Sequence, residues 1–419
     1  MHTTILALGS RGDVQPLATL GKALRAAGHQ VRLISFENFA GLAAAHDLDF
    51  HPIRGDAEAI LRGDAGQALA ASGSSVLRNL TNALRSFGAL AGRIAEDLSD
   101  PRLGKTDLIL NQLPGCLYSR DLAEKYSVPL ITGAVIPITR TRHRPLMPFP
   151  TWLSPLPGYN ALTYRVAEQG LWQWYRRPIN RWRRGTLGLP PLPLGGDFGR
   201  LAREVPVING FSRHVVERPP DWGAHVHITG YWFGQDRTWQ PPDDLARFLD
   251  AGPAPVFIGF GSMPIRQPEQ TTELILDALR QSGQRTILHT GWAGLGRVEL
   301  PGYVFEIDYT PYDWLFPRVA AVIHHGGSGT TAAGLRAGAP TLVVPFLFDQ
   351  FYWGERVTAL GVGAAPIPFK QLSADRLAEA ITTLTQDESV RRRAAVLGEK
   401  IQVEDGVGAA VGLIERYGD

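Results

Sequence analysis

A glycine-rich turn in the second half of the chain carries the residue types that bind phosphate groups. The run is His324-His325-Gly326-Gly327-Ser328-Gly329-Thr330-Thr331, between a predicted strand at residues 320–324 and a predicted helix at 330–337. Glycines let the backbone approach an anion, and the N–H groups at a helix start favour negative charge. Serine and threonine hydroxyls and the imidazole N–H of His325 add donors. A glycine turn alone is often structural, and His324 is equally well explained as a structural residue at the strand end. The two histidines ahead of the turn favour an anion site.

An acid-amide pair, Asp349-Gln350, follows 24 residues after His325. Together the two side chains offer both acceptors and donors, which adjacent sugar hydroxyls require. Taken by itself, such a pair is also typical of a solvated loop.

A third candidate lies in the loop Gly9-Ser10-Arg11-Gly12-Asp13, after the first predicted strand. Aspartate is a favoured helix N-cap, and this structural interpretation is sufficient for Asp13 alone. If a second domain presents an activated sugar, however, the acceptor hydroxyl needs a base, and a carboxylate takes up a proton as the new bond forms. We therefore predict Asp13 as the base.

The elements that must position these residues follow an α/β pattern, in which short apolar runs alternate with longer helical ones. The first half predicts strands at residues 3–8, 31–36, 107–112, 128–132 and 205–209, with a helix at 14–27. The second half predicts strands at 255–260, 286–290, 320–324 and 341–344. We predict an α/β fold of two facing Rossmann-like, doubly wound domains, with the active site in the cleft at the carboxyl ends of the strands.

Composition narrows the functional classes. The 419 residues exceed the size at which one hydrophobic core stops growing, and the net charge of +2 lacks the basic surplus of a nucleic-acid binder. A single cysteine, Cys116, gives neither an intrachain disulfide nor the spacing of a metal site. No signal peptide and no apolar stretch of about 20 residues is recognised. We expect a monomeric cytoplasmic protein without metal or nucleic acid.

The run from His325 to Thr330, followed by Pro345-Phe346 and Asp349-Gln350, resembles the donor-binding signature of family-one glycosyltransferases with two Rossmann-like domains, the GT-B fold. The extended form, with Trp353-Gly354-Glu355-Arg356, is most similar to sterol 3-beta-glucosyltransferases and their bacterial relatives. The runs Gly230-Tyr231-Trp232 and Gly291-Trp292 resemble that subgroup too.

This resemblance implies roles for individual residues. The donor diphosphate would contact His325, Gly327, Ser328, Gly329 and Thr330, and the donor sugar would contact Asp349 and Gln350. The further donor-binding candidates are Ser10, Arg11, Gly12, Ser262, Tyr309 and Pro311. Members with a Ser-Arg-Gly-Asp loop use its aspartate as base, which here is Asp13. Plant members carry a ribose-binding glutamate where this chain has Ala333, so uridine and thymidine nucleotides both remain open.

The implied domains are an N-terminal acceptor-binding domain at 1–217, an interdomain linker at 218–242, and a C-terminal donor-binding domain at 243–419. The last helix of the chain is free to pack back on the N-terminal domain. The implied reaction is an inverting, metal-independent transfer of glucose from UDP-glucose, a co-substrate, to a hydroxyl of a lipophilic small molecule such as a sterol.

Other functions stay open at this point. A polyketide or phenolic acceptor with a UDP- or TDP-sugar is the first alternative. A non-catalytic sugar-nucleotide-binding protein has no use for Asp13 as a base. An NAD-dependent oxidoreductase would need the G-x-G-x-x-G fingerprint after the first strand, which the chain lacks.

The acceptor pocket is the least determined part of the prediction. Five residues of an irregular, aromatic region are candidates to line it: Pro137, Phe149, Trp152, Trp172 and Trp174. Arginines lie among the tryptophans at positions 176, 177, 181, 183 and 184. This basic amphipathic stretch is compatible with peripheral contact with an anionic membrane surface or with a solvated helix face.

Overall fold

The computed structural model describes residues 1–56, 91–112, 115–234, 239–261, 263, 265–291, 294–296 and 298–418. The chain divides into two compact units. The first contains the described residues up to Gly234 together with the C-terminal segment that begins at Glu404, and the second runs from Gln235 to Val403.

In the described part of the first unit, seven parallel strands form one sheet in the order β3-β2-β1-β4-β5-β6-β7. The strands are β1 (His2–Leu6), β2 (Gln30–Phe36), β3 (Asp49–Ile53), β4 (Leu108–Asn111), β5 (Leu130–Ala134), β6 (Val207–Asn209) and β7 (Val226–Ile228). The helices are α1 (Arg11–Ala26), α2 (Ala40–Ala45), α3 (Ala91–Asp97), α4 (Cys116–Tyr126), α5 (Tyr159–Trp182), α6 (Phe198–Glu204) and, from the end of the chain, α14 (Gly406–Gly418).

The second unit has a five-stranded parallel sheet in the order β10-β9-β8-β11-β12. Its strands are β8 (Val256–Gly259), β9 (Thr286–His289), β10 (Val304–Ile307), β11 (Ala321–His324) and β12 (Thr341–Val343). Its helices are α7 (Asp243–Asp250), α8 (Pro268–Ser282), α9 (Tyr312–Leu315), α10 (Ser328–Arg336), α11 (Asp349–Ala359), α12 (Ala374–Gln386) and α13 (Glu388–Gln402).

Both sheets form because their central strands are apolar on both faces, as expected when helices cover a parallel sheet on both sides. In β1, Ile5 pairs with Leu33 of β2 and with Leu110 of β4, and all three side chains are fully buried. Helix α1 covers this region with Leu17, Leu20 and Leu24, whose spacing places them on one helix face. The predicted pair of Rossmann-like α/β domains is confirmed.

Two boundaries differ from the sequence prediction by more than two residues. The predicted linker at 218–242 contains strand β7, which pairs with β6, so its residues up to Gly234 belong to the first unit. Short strands of three residues carry too little periodicity to be distinguished from a proline-rich connection. The first helix begins at Arg11 rather than at residue 14, because Ser10 is its N-cap.

Candidate active site

Each sheet has a switch point, where the strand order reverses and ligands of α/β proteins bind. In the first unit it lies between β1 and β4, and in the second between β8 and β11. Asp13, in the first turn of α1, comes shortly after β1, and the glycine turn containing His325 follows β11. The two principal predicted sites therefore occupy equivalent positions in the two units.

Asp13 occupies the third position of helix α1, in a capping box with Ser10. One carboxylate oxygen, Oδ2, accepts hydrogen bonds from the Ser10 backbone N–H at 2.8 Å and from the Ser10 hydroxyl at 2.9 Å. The other, Oδ1, accepts one from Nε2 of Gln112 at 3.0 Å. The interpretation of Asp13 as an N-cap is wrong, since Ser10 takes that position.

The surroundings of Asp13 raise the pKa of its carboxyl group toward neutral pH. Burial raises the pKa of Asp13 from 3.8 to about 6, and the hydrogen bonds from Ser10 and Gln112 oppose that rise. Burial dominates because the charged carboxylate loses more solvation than three donors restore. At neutral pH the group is ionised, and its pKa lies close to the range that suits a general base.

Gln112 is a part of this site that the sequence prediction missed. It directly follows β4, its side chain is buried, and its Oε1 has no hydrogen-bond partner among the described residues. Gly9 is required for the same arrangement: its φ is +140°, and a Cβ there would lie 2.5 Å from Oδ2 of Asp13. A polar residue at the end of a strand next to β1 was the available signal for Gln112.

Arg11 and Gly12, also predicted in this loop, form the exposed first turn of α1. Arg11 donates from Nε to the Gln15 side chain at 2.9 Å. Of the predicted loop residues, the structure thus brings Ser10 alone into contact with Asp13.

In the second unit, His325 packs against the glycine turn at the end of β11. A Cβ at Gly327 would lie 2.6 Å from its Nε2, so a larger residue would displace the ring. Its Nδ1 is buried and has no hydrogen-bond partner among the described residues. Burial lowers the pKa of His325 to about 4, so the ring is neutral at physiological pH and offers one N–H.

His324 has a structural role. Its ring is fully buried, and its Nδ1 accepts a hydrogen bond from the Gly326 N–H at 2.9 Å, which shapes the turn. Burial lowers its pKa well below the usual value, which keeps the ring neutral. The strand-end interpretation of His324 fits this contact.

The turn leads into helix α10, whose N-cap is Gly327 and whose first residue is Ser328. Gly329 is exposed, and Ser328 and Thr330 are partly exposed, so this end of the helix is open to solvent. Thr331 is buried and its hydroxyl donates to the Gly327 carbonyl at 3.0 Å, which removes it from the possible phosphate donors. The open helix start remains suited to an anion.

Asp349 begins helix α11 and lies next to the turn. One of its carboxylate oxygens accepts the indole N–H of Trp353 at 3.0 Å, and the Trp353 side chain is fully buried. The preceding residue, Phe348, has a φ of +48° and a ψ of −125°. A bulky residue in such a conformation is strained, and strain of this kind concentrates at functional sites.

Gln350 makes a structural contact that the sequence prediction did not include. Its Oε1 accepts hydrogen bonds from the backbone N–H groups of Phe346 at 2.7 Å and Leu347 at 3.0 Å, and the side chain is buried. Its Nε2 contacts Sδ of Met263 at 3.2 Å. The amide oxygen therefore holds the loop before α11, and only the amide nitrogen stays a candidate for a sugar hydroxyl.

The remaining residues predicted to bind the sugar donor differ in their burial. Ser262 lies outside the described residues. Pro311 is buried as the N-cap of α9, whereas Tyr309 is 56% exposed. Ala333 lies within α10 and packs partly against the core of the second unit.

The predicted acceptor residues differ widely in their exposure to solvent. Trp172 is fully buried, and its Nε1 donates to the carbonyls of Pro193 and Leu194, so it belongs to the core. Trp174, two residues along the same helix, points to the other side and is 51% exposed. Trp152 is 76% exposed on the surface. Pro137 is buried and Phe149 partly buried.

The arginines between residues 176 and 184 also differ in their exposure to solvent. Arg183 is buried and forms ion pairs with Asp121 at 2.6 Å and Glu124 at 2.9 Å, so it does not face solvent or membrane. Arg177, Arg181 and Arg184 are exposed. The sequence could not separate them because the partners of Arg183 lie in α4, about 60 residues away.

Two absences concern the described residues only. No group of three or more histidine, cysteine, aspartate or glutamate side chains is placed there to hold a metal ion. None of the described helices is long and apolar enough to cross a membrane.

Comparison with known families identifies both halves of the chain. The profile of the glycosyltransferase family 28 N-terminal domain matches residues 3–143. The profile of the erythromycin biosynthesis protein CIII-like C-terminal domain matches residues 273–405.

Solved structures give the class of fold. The glycotransferase of kitacinnamycin superposes with a TM-score of 0.69 at 18% identity, covering 100% of this chain and 99% of that one. The Streptomyces sp. SF2575 glycosyltransferase SsfS6, complexed with thymidine diphosphate, superposes with a TM-score of 0.65 at 20% identity and 99% coverage of both chains. The fold is that of the GT-B glycosyltransferases.

Curated relatives then define the family. Two sterol 3-beta-glucosyltransferases of Arabidopsis thaliana are each 36% identical, over 100% and 98% of this chain. The chain spans 68% and 64% of their lengths. The chain belongs to the family of the sterol 3-beta-glucosyltransferases.

Proposed function

We propose that this protein transfers glucose from UDP-glucose to a hydroxyl of a lipophilic alcohol of the sterol class, with inversion at the anomeric carbon and without a metal ion. The sterol class and the glucosyl unit rest on the names of the relatives, and the uridine nucleotide rests on the resemblance described in the sequence analysis. The observation that carries the mechanism is the Asp13 carboxylate, which is hydrogen-bonded on both oxygens and has a pKa of about 6.

In this mechanism Asp13 accepts the proton of the acceptor hydroxyl. An alcohol is too weakly acidic to ionise beforehand, so the proton leaves as the oxygen attacks the anomeric carbon. Ser10 and Gln112 hold the carboxylate in one orientation from both sides. The C–O bond to the diphosphate breaks on the opposite face, through an oxocarbenium-like transition state.

The leaving diphosphate gains negative charge as that bond breaks. His325 and the open N–H groups of α10 meet this charge, the first with an N–H and the second with the positive end of the helix. Because burial keeps His325 neutral, its contribution is a hydrogen bond rather than a full charge. We include metal independence in the proposal because these donors supply the stabilisation that Mg²⁺ gives elsewhere.

The decisive experiment replaces Asp13 by asparagine. Asparagine keeps the size and an acceptor oxygen for Ser10 but cannot take up the proton. We expect turnover on a sterol to fall by about 100-fold or more, with UDP binding unchanged and the melting temperature not reduced. Asp47→Asn is the matched control, since Asp47 is an exposed residue of the same unit paired with Arg25.

The pH profile provides a second readout of the same assignment. The wild-type rate should fall as the pH drops through about 6, because protonation removes the base. The residual rate of Asp13→Asn should not show that fall. Wild-type turnover by the asparagine variant on an ordinary alcohol would rule out Asp13 as the base.

A further inference from the structure

An unusual charge distribution marks residues 138–188 of the first unit. This segment contains one acidic residue, Glu168, and nine arginines, at positions 140, 142, 144, 165, 176, 177, 181, 183 and 184. Glu168 is already paired with Arg140, and Arg183 is buried against Asp121 and Glu124. Within the described part of the chain, no carboxylate lies within ion-pair distance of Arg165, Arg177 or Arg181.

Helix α5 arranges this charge on one face. Leu162, Val166 and Arg177 fall within about 60° of one another around the helix axis at 100° per residue, and all three are exposed. Arg181, also exposed, follows about 40° beyond Arg177. The opposite side, with Tyr164, Trp172 and other residues, is buried in the core. The exposed face is therefore apolar in its first half and basic in its second.

The segment before α5 extends the apolar half. Trp152 is 76% exposed and Leu156 is 54% exposed, compared with 54% for Leu162 and 45% for Val166. The segment folds back on the helix start, since Ser154 accepts a hydrogen bond from Asn160 at 2.9 Å. Four large apolar side chains thus lie exposed near one end of a helix whose other end carries arginines.

We propose that this face, formed by Trp152, Leu156 and the exposed side of α5, docks on the surface of a bilayer that contains anionic phospholipid. Amphipathic helices with arginines on a polar part and tryptophan or leucine on an apolar part lie in the interface of such membranes. The excess of unpaired arginine complements lipid phosphates, and the apolar side chains insert between headgroups. The inference does not depend on the acceptor assigned above.

Vesicle sedimentation of the full chain tests the docking. The protein should sediment with vesicles of phosphatidylcholine mixed with phosphatidylglycerol, less with phosphatidylcholine alone, and less at high salt because salt screens surface charge. Arg177→Gln with Arg181→Gln should weaken binding to the mixed vesicles by about 30-fold, since each arginine near an anionic surface contributes roughly fivefold. Leu162→Gln with Val166→Gln should weaken binding to both vesicle types.

The matched control is Arg391→Gln with Arg392→Gln, two exposed arginines of α13 in the second unit. It should bind vesicles like the wild type; an equal loss would mean unspecific charge attraction and overturn the proposal. Absence of binding to the mixed vesicles at low salt would overturn it too. So would a concentration-dependent dimer in sedimentation velocity that Leu162→Gln with Val166→Gln abolishes, because the face would then bind a second copy.

Transfer to a detergent-dispersed sterol separates this inference from the proposed function. The two double variants of this face and the Arg391→Gln with Arg392→Gln control should keep wild-type UDP affinity and wild-type turnover in that assay. Loss of vesicle binding with intact turnover supports the docking face, whereas absence of turnover in the wild-type protein contradicts only the proposed reaction.

Discussion

At the residue scale, burial acts on the two principal side chains in opposite directions. It raises the pKa of Asp13 to about 6 and lowers that of His325 to about 4. Both shifts have the same cause, because removing water disfavours whichever form is charged. At neutral pH the first unit therefore presents a carboxylate that is easily protonated, and the second a neutral imidazole.

His325 should matter for nucleotide affinity. His325→Ala removes one N–H from a partly dry site that faces a charged diphosphate, which costs about 1.5–3 kcal/mol of UDP binding. Calorimetry should show that loss. In the wild-type protein, protonation of His325 should not change the UDP affinity between pH 6 and 8, because its pKa is about 4. His143→Ala, an exposed histidine of the first unit, is the control. Unchanged UDP affinity in His325→Ala would exclude the role.

The sequence indicated candidate site residues more readily than the residues that hydrogen-bond to them in the structure. Neither Asp13 nor His325 stands out alone, since an aspartate near a helix start and a glycine turn both have ordinary structural explanations. The two histidines ahead of the turn single out His325, and the need of the acceptor hydroxyl for a base singles out Asp13. Gln112 donates a hydrogen bond to Asp13, and Trp353 donates one to Asp349. Taken by itself, each of these two residues looks like ordinary strand-end or core sequence. Hydrogen bonds across nearly 100 residues of chain, such as that from Gln112 to Asp13, depend on sheet order, which no local pattern shows.

At the element scale, the loops after β8 and β11 and the start of α11 converge on one region. Gln350 connects them, since its oxygen accepts two backbone N–H groups of the loop before α11 and its nitrogen contacts Met263. A Cβ on Gly326 would lie 3.0 Å from the Cβ of Gln350, so the turn and α11 are in close contact. The sequence predicted the pair Asp349-Gln350 as a sugar site but did not predict that Gln350 holds the loop before α11.

Replacing Gln350 separates its structural contribution from donor recognition. Gln350→Ala leaves two backbone N–H groups, one buried and one partly buried, without this acceptor. This should cost about 2 kcal/mol or more of stability and raise the Michaelis constant for the donor. Gln350→Glu keeps acceptor oxygens and should restore the stability. If the amide nitrogen also binds a sugar hydroxyl, the glutamate variant should still discriminate less between UDP-glucose and UDP-galactose. A wild-type melting temperature for Gln350→Ala would contradict the loop contact.

At the scale of the whole molecule, the alternation of strands and helices was sufficient to predict two α/β domains. The pattern of α14 alone could not show which unit this last helix packs against, because it is the pattern of any amphipathic helix. The structure packs this helix on the first unit: His29 pairs with Glu415 at 2.9 Å, and His227 contacts the Tyr417 hydroxyl at 2.9 Å. The first unit is therefore built from two separate parts of the chain.

This discontinuity makes the C-terminal helix a condition for the stability of the first unit. Leu413 and Ile414 are buried there, and full burial of each such side chain is worth about 1.5–3 kcal/mol. Together they contribute about 3–6 kcal/mol, a large share of the total stability of about 5–15 kcal/mol of a typical domain. A chain that ends at Val403 should therefore lose transfer activity and show early thermal unfolding, while UDP binding by the second unit persists.

Two further measurements make that prediction specific. Addition of a peptide with the sequence of residues 404–419 should restore part of the thermal stability of the truncated chain, because the helix docks on a preformed surface. Leu413→Ala in the full chain should lower stability by about 2–5 kcal/mol, as buried leucine truncations do, and should leave UDP affinity unchanged. If the truncated chain melts at the wild-type temperature, α14 is not needed for the stability of the first unit. If it loses UDP binding as readily as activity, the second unit does not bind UDP independently of the first.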